Sequence, residues 1–217
     1  MFDIFTREGF ISFLYVLPAL LLSLSVHEFA HAYTAYKLGD KSQKALGRLT
    51  MDPFKHIDWF GFLAIALLGF GWGKPVIVDD RNFKNRAKSN MLVALAGPGS
   101  NIILAIVFSV ILKVLVLTNV VNLAVTSTLG LVILNMFKLT IQFNVIFAIF
   151  NLIPIPPFDG SKVLFYFLPV KAKNIMYLME QYSFLIIIII LVTGIGSKII
   201  SPIVNLILTG INWFLML

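Results

Sequence analysis

The sequence predicts an all-α, polytopic membrane protein with about five transmembrane helices and one re-entrant or short extended segment. Three observations carry that expectation. Hydrophobic residues fill 59% of the 217 positions and charged residues 12%, about half the charged share of a soluble domain. Apolar stretches long enough to cross a hydrocarbon core of about 30 Å recur along the chain. Most basic residues fall between those stretches rather than inside them. A chain of this length suits a single membrane-embedded domain over residues 1–217, with a core of about residues 10–165 and C-terminal helices over about 174–217.

The first span is expected over residues 10–38. Residues 1–9 carry Asp3, Arg7 and Glu8, unlike the basic start of a removable leader, so the first span is expected to be retained. Residues 59–70 are apolar, but a helix of that length reaches only about 18 Å, too short to cross. They are expected to form a re-entrant or interfacial piece. Residues 74–78, with Pro75 and three β-branched neighbours, read as a short extended segment. Full spans follow over residues 89–117 and 128–153, the latter stopped by Pro154, Pro156 and Pro157. Two more are expected over 174–193 and 199–217, separated by Gly194 and Gly196.

Charge sets the expected orientation. Thirteen of the 17 basic residues lie in three loops, 37–58, 73–90 and 153–175. The positive-inside rule places those loops in the cytoplasm, the N-terminus outside and the C-terminus inside. The first two loops share a side only if residues 59–70 do not cross. The formal charge of +7 is thereby explained by loops at a lipid surface, and no nucleic-acid partner is expected. Arg81, Lys84, Arg86 and Lys88 suit anionic headgroups of the bilayer. The expected location is the plasma membrane of a bacterium.

Within the first span stands His27-Glu28-Phe29-Ala30-His31. Residues four apart on a helix lie about 40° apart around the axis, so both imidazoles can close on one metal ion. Glu28 is offset by about 100°, within reach of water on that metal. Chance would give this pattern about 0.002 times in a chain of this composition. Unpaired charge in hydrocarbon costs at least about 2.5–3.5 kcal/mol, and a divalent cation would relieve it. The chain has no cysteine, so any zinc must be held by nitrogen and oxygen. Two histidines leave a tetrahedral site short of one protein ligand. His56, in a basic loop, and Asp159, after the proline-rich break, are the candidates, although Asp159-Gly160 also suits an ordinary turn.

The metal pair in a membrane span, followed much later by Pro156-Pro157-Phe158-Asp159-Gly160, resembles the site-2 protease family, zinc metalloproteases that cut within membranes. Gly73-Lys74-Pro75-Val76 and Ala96-Gly97-Pro98-Gly99-Ser100-Asn101 are similar to that family's compact bacterial members. The likeness covers about residues 21–163. Phe158 departs mildly, standing where the family often has an aliphatic residue. The resemblance implies one zinc per chain on His27, His31 and Asp159, with Glu28 activating water and Asn151 stabilising the tetrahedral intermediate. It also implies single-span membrane proteins as substrates, in regulated intramembrane proteolysis or clearance of signal-peptide remnants. Asn144 and Asn101 are read as helix–helix hydrogen-bonding residues, and His56 as solvated. Two other classes compete: a divalent-cation transporter using the same histidines, and a catalytically silent membrane scaffold. Transport gives no reason for a glutamate beside the first ligand.

Overall fold

The structure is a computed structural model that describes residues 6–68 and 71–216. Residues 1–5 of the N-terminal stretch, 69–70 of the expected re-entrant piece and Leu217 of the last span lie outside the described residues.

Helix α1 (Arg7–Leu38) is closed at both ends by local chemistry. Thr6 accepts from the Gly9 N–H at 3.1 Å, and Glu8 and Lys37 place acid and base at the ends that favour them. Gly39 stops the helix at φ +119°, a left-handed conformation costly to any residue with a β-carbon. A β-carbon there would also approach the Asn82 carbonyl oxygen to 2.9 Å. The short helix α2 (Ser42–Ala45) and a 3-10 turn (Pro53–Lys55) lead to α3 (Trp59–Leu68).

The chain leaves at Ile57, passes through α3 and is beside Ile57 again at Gly73, where the two form an antiparallel bridge. The Lys74 N–H donates to the His56 carbonyl at 2.8 Å. Both ends of the excursion are thus clasped together, which is what a piece too short to cross requires. Residues 74–79 then run without a β-ladder partner among the described residues.

After a second 3-10 turn (Asp80–Asn82) come α4 (Arg86–Leu117), α5 (Val120–Ala124) and α6 (Thr128–Asn151). Helices α1, α4 and α6 pack against one another, and α7 (Asp159–Phe167) packs on α4. Helix α10 (Ile195–Met216) lies against α6 and α4, where Ala105, Val145 and Val204 form a buried cluster. Among the described residues, four helices are long and apolar enough to cross a membrane, α1, α4, α6 and α10, in keeping with a multi-pass membrane protein.

The span expected over residues 174–193 is met by a bent pair of helices. Helices α8 (Val170–Gln181) and α9 (Ser183–Thr193) meet at Tyr182 with a 73° bend. The cause is composition: α8 carries Lys171, Lys173 and Glu180, whereas α9 is apolar but only 11 residues long. Counted as one span, the pair brings the total to five.

Polarity is inverted relative to a soluble protein. Ser23, His27, His31, Asn101, Thr140, Asn144 and Asp159 are buried, while Ile103, Ile106, Leu129 and Leu206 are exposed. Along α1 the buried face reads Val16, Leu20, Ser23, His27, His31, Ala35, in steps of three or four. Hydrocarbon outside and hydrogen-bonding groups inside is the distribution a bilayer demands.

Candidate metal centre

Helix α1 carries His27 and His31 on its inner face, and the two Nε2 atoms stand 2.9 Å apart. Asp159 is the first residue of α7, after the break around the cis Pro156–Pro157 bond that ends α6. The break turns its carboxylate inward, and Oδ2 lies 3.2 Å from His27 Nε2 and 3.1 Å from His31 Nε2. All three residues are buried, and among the described residues they form the one histidine–carboxylate group with metal-ligand spacing. His56, the other candidate for a third ligand, is not part of it.

The donor set can be tested for fit to a metal. His31 Nδ1 lies 2.7 Å from the Val93 carbonyl, which only accepts, so Nδ1 carries the proton. In the neutral ring Nε2 then turns a lone pair toward a carboxylate oxygen 3.1 Å away. Two acceptors that close are unfavourable unless a cation or proton lies between them. Two imidazoles and one carboxylate, with no thiolate, are a zinc-type donor set that leaves one tetrahedral position open. Ligands about 2.0–2.1 Å from such an ion stand about 3.3 Å apart, close to the separations present.

Gly97 makes this packing possible. A β-carbon there would come within 2.5 Å of His31 Nε2 and 2.6 Å of His27 Cε1. The backbone of α4 thus roofs the two rings directly. On another side Phe147 presents a ring edge to His27, centroids 6.1 Å apart.

Glu28 is buried beside the cluster but is not a member of it. Its Oε2 accepts from the Val76 N–H at 2.8 Å. The 74–79 segment that supplies this donor is held by side chains. Arg48 donates to the Lys74 and Pro75 carbonyls, each at 2.6 Å, and Gln43 donates to the Ile77 carbonyl at 2.5 Å. Asp40 accepts from Ser42, Asp79 and Asn82 at 2.9–3.0 Å. Burial alone would raise the Asp40 carboxyl, but those donors outweigh it and hold the group below the ordinary carboxylate range.

Asn151 ends α6, and its side-chain nitrogen donates to the Phe147 carbonyl at 3.0 Å. One of its two N–H groups is spent within the helix, leaving one. Asn144 bonds across helices as expected. His56 corrects the expectation of a solvated residue: it is fully buried, with Nε2 bonded to the Thr50 carbonyl at 2.8 Å. The loop folds back on the clasp at Gly73, so a polar sequence ends up covered. Asn101 bonds across helices as expected and also contacts His27 directly, at 2.7 Å. Sequence reasoning missed that contact, and it missed Arg48, Gln43 and Val93, while the close helix approach expected of the small residues at 97–100 is met at Gly97. The asparagine after Gly97-Pro98 in an apolar span was the one available signal.

A bundle of membrane-spanning helices enclosing a His–His–Asp cluster defines a membrane-embedded protein with a metal-binding type of site. The chain belongs to peptidase family M50, whose description, "Peptidase family M50", matches residues 15–194. A Bacillus subtilis (strain 168) protein named "Putative zinc metalloprotease YwhC" is 39% identical over 191 residues, covering 88% of this chain and 86% of its own. "Putative zinc metalloprotease Rip2" of Mycolicibacterium smegmatis is 30% identical over 187 residues, 83% and 68% of the two chains. No solved structure matches the chain.

Proposed function

We propose that this chain is a zinc endopeptidase that hydrolyses peptide bonds within or beside the transmembrane segments of single-span membrane proteins. The observation that carries the reading is the convergence of His27, His31 and Asp159 inside the bundle, with Glu28 on the same helical turn yet outside the ligand set. Family membership and the zinc-metalloprotease names of the relatives support the metal and the reaction class.

In this reading His27, His31 and Asp159 would hold one zinc per chain. When bound, zinc supplies Lewis acidity and brings water's pKa toward about 7. Glu28 takes the proton from the attacking water, holds it, and delivers it to the leaving amine. The Val76 N–H keeps the carboxylate aimed while it does so. Asn151 turns its remaining N–H to the oxyanion of the tetrahedral carbon, a type of contact worth about 10²–10³ in rate.

A transmembrane helix has its backbone bonds closed within itself, so a substrate must unwind locally to be cut. Residues 74–78 have no β-ladder partner among the described residues, and an unwound peptide would pair with the backbone groups that Glu28, Arg48, Gln43 and the His56 carbonyl leave open. Beside it lies a cavity of about 540 Å³ between Ile77, Pro157, Lys162, Phe165 and Tyr177, with room for several residues. The proposed topology puts the N-terminus outside and the C-terminus in the cytoplasm of a bacterial cell, the basic loops facing inward.

The test is Glu28→Gln in the full chain, comparing product from a single-span substrate in liposomes with zinc content. The amide is nearly isosteric but takes no proton, so cleavage should fall by about 10²–10⁴ with zinc retained. Wild-type cleavage with zinc bound would refute the mechanism. Metal passage without peptide product in either form would identify a transporter.

A further inference from the structure

We propose that Asn101 is a positioning residue that fixes the tautomer of His27, as the middle member of a buried hydrogen-bond relay across α6, α4 and α1. The proposal rests on the metal-centre reading and names what prepares that centre.

The relay can be followed from an end that admits one choice. The Thr140 carbonyl of α6 has no proton, so the Asn144 group facing it at 2.8 Å is the NH₂. The oxygen of Asn144 therefore faces α4, where Asn101 Nδ2 donates to it at 2.7 Å. The same nitrogen donates to the Ser23 carbonyl of α1 at 3.0 Å, a second acceptor without a proton. Both N–H groups of Asn101 are now used, and its orientation is set twice over. A flipped amide would press its oxygen against two other oxygens.

What remains is Asn101 Oδ1, 2.7 Å from His27 Nδ1. An amide oxygen only accepts, so Nδ1 must carry a proton, and the neutral ring is then bare at Nε2. That is the tautomer metal ligation at Nε2 requires. Ser23, Asn101 and Asn144 are completely buried and His27 nearly so, so water does not compete for these bonds. Imidazole in water favours the opposite tautomer, with its proton on Nε2. The relay overrides that preference before any metal arrives, as the Val93 carbonyl does for His31.

The chain has three histidines, which makes the test direct. In full-length zinc-free protein labelled with ¹⁵N-histidine, at a pH where imidazole is neutral, ring-nitrogen shifts separate protonated from bare nitrogens. His27 and His31 should each carry a proton on Nδ1, and any further proton in the zinc-free protein should lie between their Nε2 atoms and Asp159. His56, whose Nε2 meets the Thr50 carbonyl, should show the opposite pattern and serve as internal reference. In Asn101→Leu, His27 should lose its preference while His31 keeps its own. Zinc affinity, read by chelator competition, should fall about 10–100-fold.

A merely structural asparagine would leave the His27 pattern unchanged or disturb both histidines together, and either result overturns the proposal. If Asn101→Leu does not fold, the wild type still decides: a His27 that is bare at Nδ1 in the zinc-free protein refutes the relay. The expected tautomers and zinc binding in a protein that cleaves no membrane substrate would leave the relay standing and remove the protease reading.

Discussion

Gly97 sets the α4 backbone against the candidate ligand rings, and Gly97→Ala tests that packing. The added methyl carbon would lie 2.5 Å from His31 Nε2 and 2.6 Å from His27 Cε1, against 3.4–4 Å for ordinary contact. About 0.9 Å of movement must come from somewhere. The rings are poorly placed to supply it, because each Nδ1 is held at 2.7 Å, one by the Val93 carbonyl and one by Asn101. Helices α1 and α4 must therefore part. Overpacking of this kind costs about 1–3 kcal/mol of stability, and a misplacement near 1 Å costs about 10² in rate.

Chelator competition at graded free zinc, paired with thermal unfolding, measures both effects. Zinc affinity should drop at least about tenfold, since the methyl intrudes on the ligand atoms themselves rather than on their outer partners. Gly99→Ala is the control. A β-carbon there meets nothing within 4 Å, and an alanine inside a helix is favoured over glycine by up to about 1 kcal/mol. If Gly97→Ala holds zinc as tightly as Gly99→Ala, the tight α1–α4 contact described above is wrong.

Asp159→Ala removes the oxygen that lies 3.1–3.2 Å from both imidazoles; zinc content at low free zinc should collapse, and full retention would remove Asp159 from the ligand set. Single cysteines at Lys44 and Lys84, in a chain with no native cysteine, should label from the same face of intact cells, as a clasped re-entrant piece requires. Labelling from opposite faces would exclude it. Asp40 has a folded pKa below its ordinary value, so its stabilisation is present above that ordinary value, about 3.9, and is lost as pH falls through the folded pKa. Thermal unfolding across that acid range should show the loss in wild type and not in Asp40→Asn. At neutral pH the variant should be weaker by about 1–3 kcal/mol, from donors left without an acceptor.

The spans over α1, α4, α6 and α10 were legible because long apolar runs have few other uses, and the short length of α3 gave away its return. The bend at Tyr182 was not, because hydropathy counts residues and carries no direction. The histidine pair was legible as chemistry, through residue type and spacing, whereas Asp159 stood beside His56 as a candidate until the likeness to the site-2 proteases favoured it. The partner of His27 was hidden, since Asn101 is 74 residues away and an asparagine in an apolar helix reads first as a contact between helices. Arg48 looked like one more cytoplasmic cation. Its role in holding the 74–75 carbonyls depends on a loop closure that no local pattern announces.

The inverted polarity has a consequence for how this chain can drift. In a soluble protein the interior resists change and the polar exterior varies. Here lipid solvates Ile103, Ile106, Val110 and Ile111 much as another aliphatic side chain would, so swaps among them leave helix association almost untouched. The constraint sits instead on small and polar positions such as Ser23, Ala105, Asn101 and Asn144, where one atom more or less breaks a contact between helices. Diverged copies of this fold should keep their serines and asparagines longer than their leucines and isoleucines, and hydrophobicity will be the poorest guide to their kinship.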